Sequence, residues 1–438
     1  MSRKGGGAQI VFPSVRFVFL FAAGCILSLF EGVILYYNAV ILAVLLFDFL
    51  ISQKQPFSVE RDFDYILSIG VENPIQIKVA NKSGVPLSVK VKDEYPQEFS
   101  ASEREIGGKI SGYQTEQFHY TITPYKRGEY TFGDVFTRRM SRLGLWVFED
   151  TFNLETQAKV YPNVQMVKKY DLLSRKQMLN LIGVKPSKIY GQGTEFEMLR
   201  DYQVDDEYRV IDWKATSKKG KPISRVYQVE RTRNVMLMID AGRIMGVQVG
   251  DLTKLEHAVN SALLVSFVAL RLGERVGLCI FSSDIKEYIP IQGRKYHFNV
   301  IMEALYNLKP DAYESDYKKA FEYISRKNKK RALVVVYTDL IEKHISQRLI
   351  QYCAALKKTH LPVCVAVKDM NITRIAGCDP QTERELYQKA VAQTLLKERQ
   401  LAIKELNRRG VRVVDELPEK LTISTINKYL ELKHTMRI

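Results

Sequence analysis

Two aspartates close two of the most apolar runs in the chain. Residues 235–240 form a continuous apolar segment ending in Asp240, and residues 332–338 lead through Thr338 to Asp339. If both runs are strands of one parallel sheet, their carboxyl ends are where such sheets gather functional groups. A second group of acids, Glu195, Glu197, Asp205, Asp206 and Asp212, lies in one short stretch and has the residue types of a general acid and base. The plainer reading is a salt-bridged network with Arg200 and Arg209, because carboxylates beside arginines are commonly structural. A hydrolase using Glu195 and Asp212 is the lesser alternative.

Other chemistries are not written in the chain. It has no P-loop, dinucleotide fingerprint, nucleophile elbow or zincin helix. The segment Gly191-Gln192-Gly193 is too short to cradle a phosphate and lacks the lysine. None of the six histidines stands in a recognisable triad order. The five cysteines, Cys25, Cys279, Cys353, Cys364 and Cys378, are odd in number and have no metal-type spacing. Cys279 and Cys364 lie inside apolar runs, as buried free thiols of a reducing compartment would. The expectation is a protein that is not an enzyme and needs no cofactor.

The elements that would position Asp240 and Asp339 follow from the hydrophobic rhythm. Beyond residue 234, buried strands at 235–240, 275–281, 332–338, 361–368 and 411–414 alternate with helices at 252–272, 296–308, 317–325, 347–357, 382–409 and 420–432. That alternation predicts an α/β domain with a mostly parallel sheet covered on both faces. Residues 55–165 change character. Short alternating runs at 75–80, 87–91, 118–122, 128–132 and 135–138 are separated by turn residues, which predicts an antiparallel sandwich-like module. Residues 166–233 would form a connecting segment packed on the last domain, which spans 234–438.

The first fifty-four residues read as a membrane anchor. Apolar runs at 15–30 and 33–51 flank Glu31-Gly32. A membrane span needs about 20 apolar residues, so the economical form is a hairpin of two transmembrane helices turning at Glu31. Arg3, Lys4 and Arg16 precede the hairpin, and Lys54 and Arg61 follow it. Positive-inside logic puts both ends and the soluble part in the cytoplasm. A cleaved signal peptide fits less well, because a second apolar run follows at once.

The chain of 438 residues carries 65 Lys+Arg against 49 Asp+Glu, a formal net charge of +16. Because no dense basic run stands out, the excess suits an anionic membrane face better than nucleic acid. Lys397, Arg399 and Lys404 on the 382–409 helix can meet lipid headgroups, although a plainly solvated face is the simpler account.

The stretch 190–220 alternates aromatic, acidic and arginine residues too tightly for a simple helix or strand, and can hold itself together by arginine–carboxylate forks around rings. Gly191, Gly193, Glu195, Phe196, Leu199, Arg200, Tyr202, Arg209, Ile211, Asp212 and Trp213 together resemble the signature of the bacterial "domain of unknown function 58" family. Residues 125–133, Gly144-Leu145 and 160–162 are similar to further elements of that family. The chain departs from it at Asp205-Asp206, where the family usually has Gly-Asp.

The resemblance implies a von Willebrand factor A-like C-terminal domain, which often carries a metal-ion-dependent adhesion site. There the first strand ends in Asp-x-Ser-x-Ser. This chain has Asp240, Gly242 and Ile244, so both serines are missing. Ser315 stands where the later threonine should be, and Asp339, after Thr338, matches the last aspartate. Asp240, Ser315 and Asp339 would hold a hydrated Mg²⁺ weakly, and Arg243 can supply a positive charge instead. A degenerate, partner-binding site of Asp240, Gly242, Arg243, Ser315, Thr338 and Asp339 is therefore expected, with the signature residues structural. The resemblance further implies a membrane-bound adaptor that works with a MoxR-type AAA+ ATPase on an unnamed client. An envelope-facing adhesion or matrix-binding module is the rival, and requires the soluble part to be exported.

Overall fold

The computed structural model describes residues 10–27, 33–53, 55–175, 195–203, 206, 208–228, 234–294, 296–340 and 343–435. The chain divides into two compact units, Met1–Tyr161 and Pro162–Ile438. Most sheets are antiparallel, and parallel pairing is concentrated in one sheet of the second unit.

In the first unit a five-stranded sheet runs in the order Ile10–Pro13, Trp146–Phe152, Val135–Met140, Leu87–Asp93, Ile106–Ile110. A four-stranded sheet runs Phe57–Asp62, Asn73–Asn81, Thr115–Pro124, Phe99–Ala101. A small third sheet holds Ile66–Ser68, Thr156–Tyr161 and Gly128–Phe132, and its first pair is parallel. Alternation sets the faces: Leu87, Val89 and Val91 are buried while Ser88, Lys90 and Lys92 are exposed. Arg61 crosses this core to Asp93, which also accepts from the Tyr120 hydroxyl.

Two apolar helices, Val15–Leu27 and Val33–Gln53, belong to the same unit. Only the second is long and apolar enough, among the described residues, to cross a membrane; its window Tyr36–Gln53 has a mean hydropathy of 1.5. The first has 13 described residues, fewer than the roughly 20 a span needs. The turn expected at Glu31 lies outside the described residues. The strand Ile10–Pro13 was not legible beforehand, because four residues beside a long apolar run carry no period of their own.

The second unit is built on a six-stranded sheet in the order Ile285–Gln292, Arg275–Phe281, Asn234–Asp240, Leu333–Tyr337, Leu361–Val367, Arg412–Glu416. Its last five strands are parallel and the first is antiparallel. Side chains alternate into two cores. Val235, Leu237 and Ile239 pack with the helices Lys254–Arg271, His297–Tyr306 and Pro418–Thr435. Met236 and Met238 pack with Tyr317–Lys327, Lys343–Leu356 and Glu383–Arg408. Both sheet faces are thus covered by helices, which explains why these strands read as unbroken apolar runs. The edge strand Ile285–Gln292 escaped the pattern because Lys286, Glu287 and Pro290 interrupt it, a composition that edge strands tolerate.

Candidate functional site

Asp240 ends a central strand, with Thr338 and Asp339 just beyond the end of its neighbour. Asp240 is 4% exposed, and its carboxylate is saturated by protein donors. Oδ1 accepts from the Gly242 amide at 2.8 Å and from the Ser315 hydroxyl. Oδ2 accepts from the hydroxyls of Tyr317 and Thr338, each at 2.7 Å. Burial, then the charge of Asp240, pushes the Tyr317 hydroxyl well above its usual pKa, so it stays protonated and donates. A carboxylate held by neutral hydroxyls and an amide needs no cation.

Asp339 is held differently. Oδ2 meets the Lys254 ammonium, and Oδ1 accepts from Arg399 at 2.6 Å and from the Leu340 amide at 2.7 Å. Arg399 also bridges to Asp415 and to the Val367 carbonyl. Lys254 is 1% exposed and Arg399 5%. Burial pulls the Arg399 pKa down, but Asp339 and Asp415 outweigh it and hold it above the ordinary value. The long helix therefore turns Arg399 inward, not toward solvent or lipid headgroups as its charge suggested. The reason is visible in the helical period, since the buried positions Ala392, Arg399, Ala402 and Leu406 lie on one face.

This donor set does not fit Mg²⁺. The cation wants open oxygen ligands and retained waters, whereas each oxygen of Asp240 and Asp339 already accepts a protein hydrogen bond, and two cationic side chains flank Asp339. Among the described residues no cluster of three His, Cys, Asp or Glu side chains has metal-binding geometry. Lys254, Tyr317, Arg399 and Asp415 were missed by sequence reasoning. Only the Arg399 spacing carried a signal.

The rim of the site is polar and open. Arg243 reaches Glu314 at 3.7 Å, with both side chains more than half exposed. Asp311 accepts from Ser282 and pairs with Lys286, and those two contacts, in that order, lower its pKa. Gly242 is required by close approach, because a Cβ there would lie 2.2 Å from the Ser315 hydroxyl. Gly242→Ala should cost about 1–3 kcal/mol by overpacking, read as a denaturant midpoint shift. Ser315→Ala in the same chain should recover part of it, since the clashing oxygen is gone. Simple additivity of the two changes would contradict this packing.

The signature segment is a structural knot of its own. Strand Glu195–Asp201 pairs antiparallel with Ile223–Gln228 through a bulge between Phe196 and Met198. Gly191 and Gly193 lie outside the described residues, as do the side chains of Glu195 and Phe196. Arg200 pairs with Asp206, which also accepts from the Gln203 amide and Ser224. The Tyr202 ring stacks on Tyr208 at 6.1 Å. Asp212 caps the helix Trp213–Lys219 by accepting from the Ala215 amide, and pairs with Arg225 at 2.9 Å. Ile211 is buried, whereas Leu199, Arg209 and Trp213 lie exposed. The arginine–carboxylate forks exist, but Asp212 takes Arg225 as its partner.

The Arg225 bond, then the Ala215 amide, hold the Asp212 carboxyl below its ordinary pKa; the Gln203 amide, then Arg200, do the same for Asp206. A depressed folded-state pKa gives stabilisation that is complete above the unfolded value, about 4, and is lost as pH falls through the folded value. Trp213 emission, read in a Trp146→Phe chain, should therefore change below pH ~4, and Asp212→Asn should abolish the Asp212 component. A flat titration would contradict the capping role.

Most of the signature pair and five of the six strands of the central sheet lie in a segment that matches a known family. Residues 198–386 match the family model "Protein of unknown function DUF58". The chain is 24% identical over 219 residues to "Uncharacterized protein YeaD" of Bacillus subtilis (strain 168), covering 50% of this chain and 52% of that one. It is likewise 24% identical over 173 residues to "Uncharacterized protein Rv1480" of Mycobacterium tuberculosis (strain ATCC 25618 / H37Rv), covering 39% and 55%. The chain thus spans about half the length of the curated relatives it matches. Among solved structures, the conserved hypothetical protein BatB from Bacteroides thetaiotaomicron matches 46% of this chain and 98% of its own, at 14% identity and a TM-score of 0.30.

Proposed function

We propose that this chain is a membrane-anchored, non-enzymatic interaction protein whose α/β unit is von Willebrand factor A-like and docks a protein partner without metal. The observation that carries this reading is the state of Asp240 and Asp339. Both acids at the functional edge of the sheet are committed to internal donors, which leaves the exposed Arg243–Glu314 rim as the polar surface on offer. A base, a nucleophile or an ion ligand needs an accessible carboxylate oxygen, which two acids each 4% exposed do not offer, and docking needs none.

The resemblance to the unknown-function family points to a MoxR-type AAA+ ATPase as the partner, with a client complex as its object. The anchor is read as a two-span hairpin with the soluble units in the cytoplasm. Its support is the return of the chain: Ile10–Pro13, before the helices, and Phe57–Asp62, after them, belong to one unit. An intervening segment that crosses a membrane must then do so an even number of times.

The test is a crosslinking pull-down of the full chain from native membranes, with and without a chelator, alongside Arg243→Glu. The expected result is an AAA+ ATPase recovered equally under both conditions and lost with Arg243→Glu. Recovery that needs a divalent ion, or no ATPase at all, would overturn the proposal. A reporter fused at Ile438 that is active only outside the cytoplasm would overturn the topology.

A further inference from the structure

The ends of both apolar helices are locked to one turn of the first unit, residues 141–146. Asp48, 1% exposed near the end of the second helix, accepts from the Ser141 hydroxyl at 2.5 Å, the Leu143 amide at 3.0 Å and the Leu145 amide at 3.4 Å. The Trp146 indole donates to the Leu45 carbonyl at 3.1 Å, and its ring packs against Phe17 and Phe49. At the start of the first helix, Ser14 donates through its amide to Leu145 and through its hydroxyl to Gly144. The turn is a clamp on helix ends.

The depth of that clamp can be read from the other side of the helix. Phe47 and Leu50 flank Asp48 in sequence, yet are 61% and 60% exposed. Leu45 to Leu50 covers about 7.5 Å of helix axis, so apolar, outward-facing side chains sit level with the clamp. If Phe47 and Leu50 face lipid, the turn lies at the same height.

The sheet beside the clamp is graded to match. Its row nearest the helices pairs Phe12 with Val147 and Val147 with Met140 across three strands. Phe12 and Met140 are 47% and 59% exposed on the outer face. Two residues further along, the same face carries Glu149 and Arg138 in an ion pair, with Lys90 on one side and the exposed Ile10 on the edge strand at the other. Charge thus begins about 7 Å beyond the Phe12–Val147–Met140 row, with Ile10 alone continuing the apolar surface along the edge strand, a spacing comparable to the 5–7 Å headgroup layer on each side of a bilayer. Arg16 and Arg142 are exposed beside this turn, and arginine and tryptophan are the residue types that favour a membrane interface.

We infer that the first unit is seated in the membrane interface: the 141–146 turn and the Phe12–Val147–Met140 row contact lipid directly, and the Glu149–Arg138 row marks the water boundary. This inference rests on the membrane-anchor reading and adds a second, β-structured contact to it.

The chain has two tryptophans, Trp146 and Trp213, so Trp213→Phe leaves Trp146 as the reporter. The full chain is reconstituted into phosphatidylcholine–phosphatidylglycerol vesicles with and without brominated acyl chains. Trp146 emission should fall about twofold or more in brominated vesicles, as expected for an interfacial indole. In a chain lacking both native tryptophans, Met140→Trp should be quenched similarly and Lys90→Trp should not. Flotation separates the two readings. A chain that floats with the vesicles while positions 146 and 140 stay unquenched overturns the seated module and leaves the anchor standing. Equal quenching at position 90 overturns the water boundary, and a chain that does not float overturns both readings.

Discussion

Arg399→Met is expected to destabilise the C-terminal unit by about 3–5 kcal/mol, the usual cost of removing one partner from a buried ion pair. The side chain lost is 6% exposed and serves two acids, Asp339 and Asp415, together with the Val367 carbonyl. Lys254 remains on Asp339, but Asp415 is left with a desolvated charge. Unfolding of the full chain in detergent, followed by hydrogen exchange in the strands Leu333–Tyr337 and Arg412–Glu416, measures the effect. Adding Asp415→Asn should recover part of the loss, because the stranded charge is the larger penalty and not the missing attraction. A single variant as stable as the parent would mean that solvent already reaches these acids, and the closed site described above would be wrong.

Asp48→Ala should release the clamp. The carboxylate serves two backbone amides and two hydroxyls, those of Ser52 and Ser141, in a buried setting. Each buried donor left without a partner costs about 1–3 kcal/mol, so a total near 3–4 kcal/mol is expected even with some repacking. Exchange at the Leu143 and Leu145 amides should accelerate by roughly 10²-fold, since each 1.4 kcal/mol is tenfold. Asp48→Asn keeps an acceptor oxygen and should fall between the two. If the amides of Leu143 and Leu145 exchange at the parent rate in Asp48→Ala, the helix is tethered and not clamped.

Asp48 also shows where local reading stops. In sequence it is a lone acid near the end of an apolar run, and interfacial tolerance accounts for it. Apart from Ser52, its partners stand 93 to 97 residues away, in a turn whose Arg-Leu-Gly-Leu composition announces nothing about an acid. Arg139 is similar: a charged residue on a short strand, it is buried against Phe148 at 4.4 Å and donates to the Ser52 carbonyl. The strand's alternation puts it on the inward face with Val135 and Thr137, but a charge there is accepted only because a helix-end acceptor is brought near by folding.

What the residues alone determined is the order of most elements and the placement of Asp240, Thr338 and Asp339 at the carboxyl ends of two apolar strands; that those strands are neighbours belongs to the sheet. Period and turn chemistry are local properties, carried by neighbours within a few positions. What tertiary structure decided is whether those acids are open or closed. Lys254 lies 85 residues from Asp339 and Arg399 lies 60, so neither pairing has a local signature. A carboxylate becomes a ligand, a base or a filled acceptor according to which donors the packed helices bring to it, and that is fixed only when both faces of the sheet are covered.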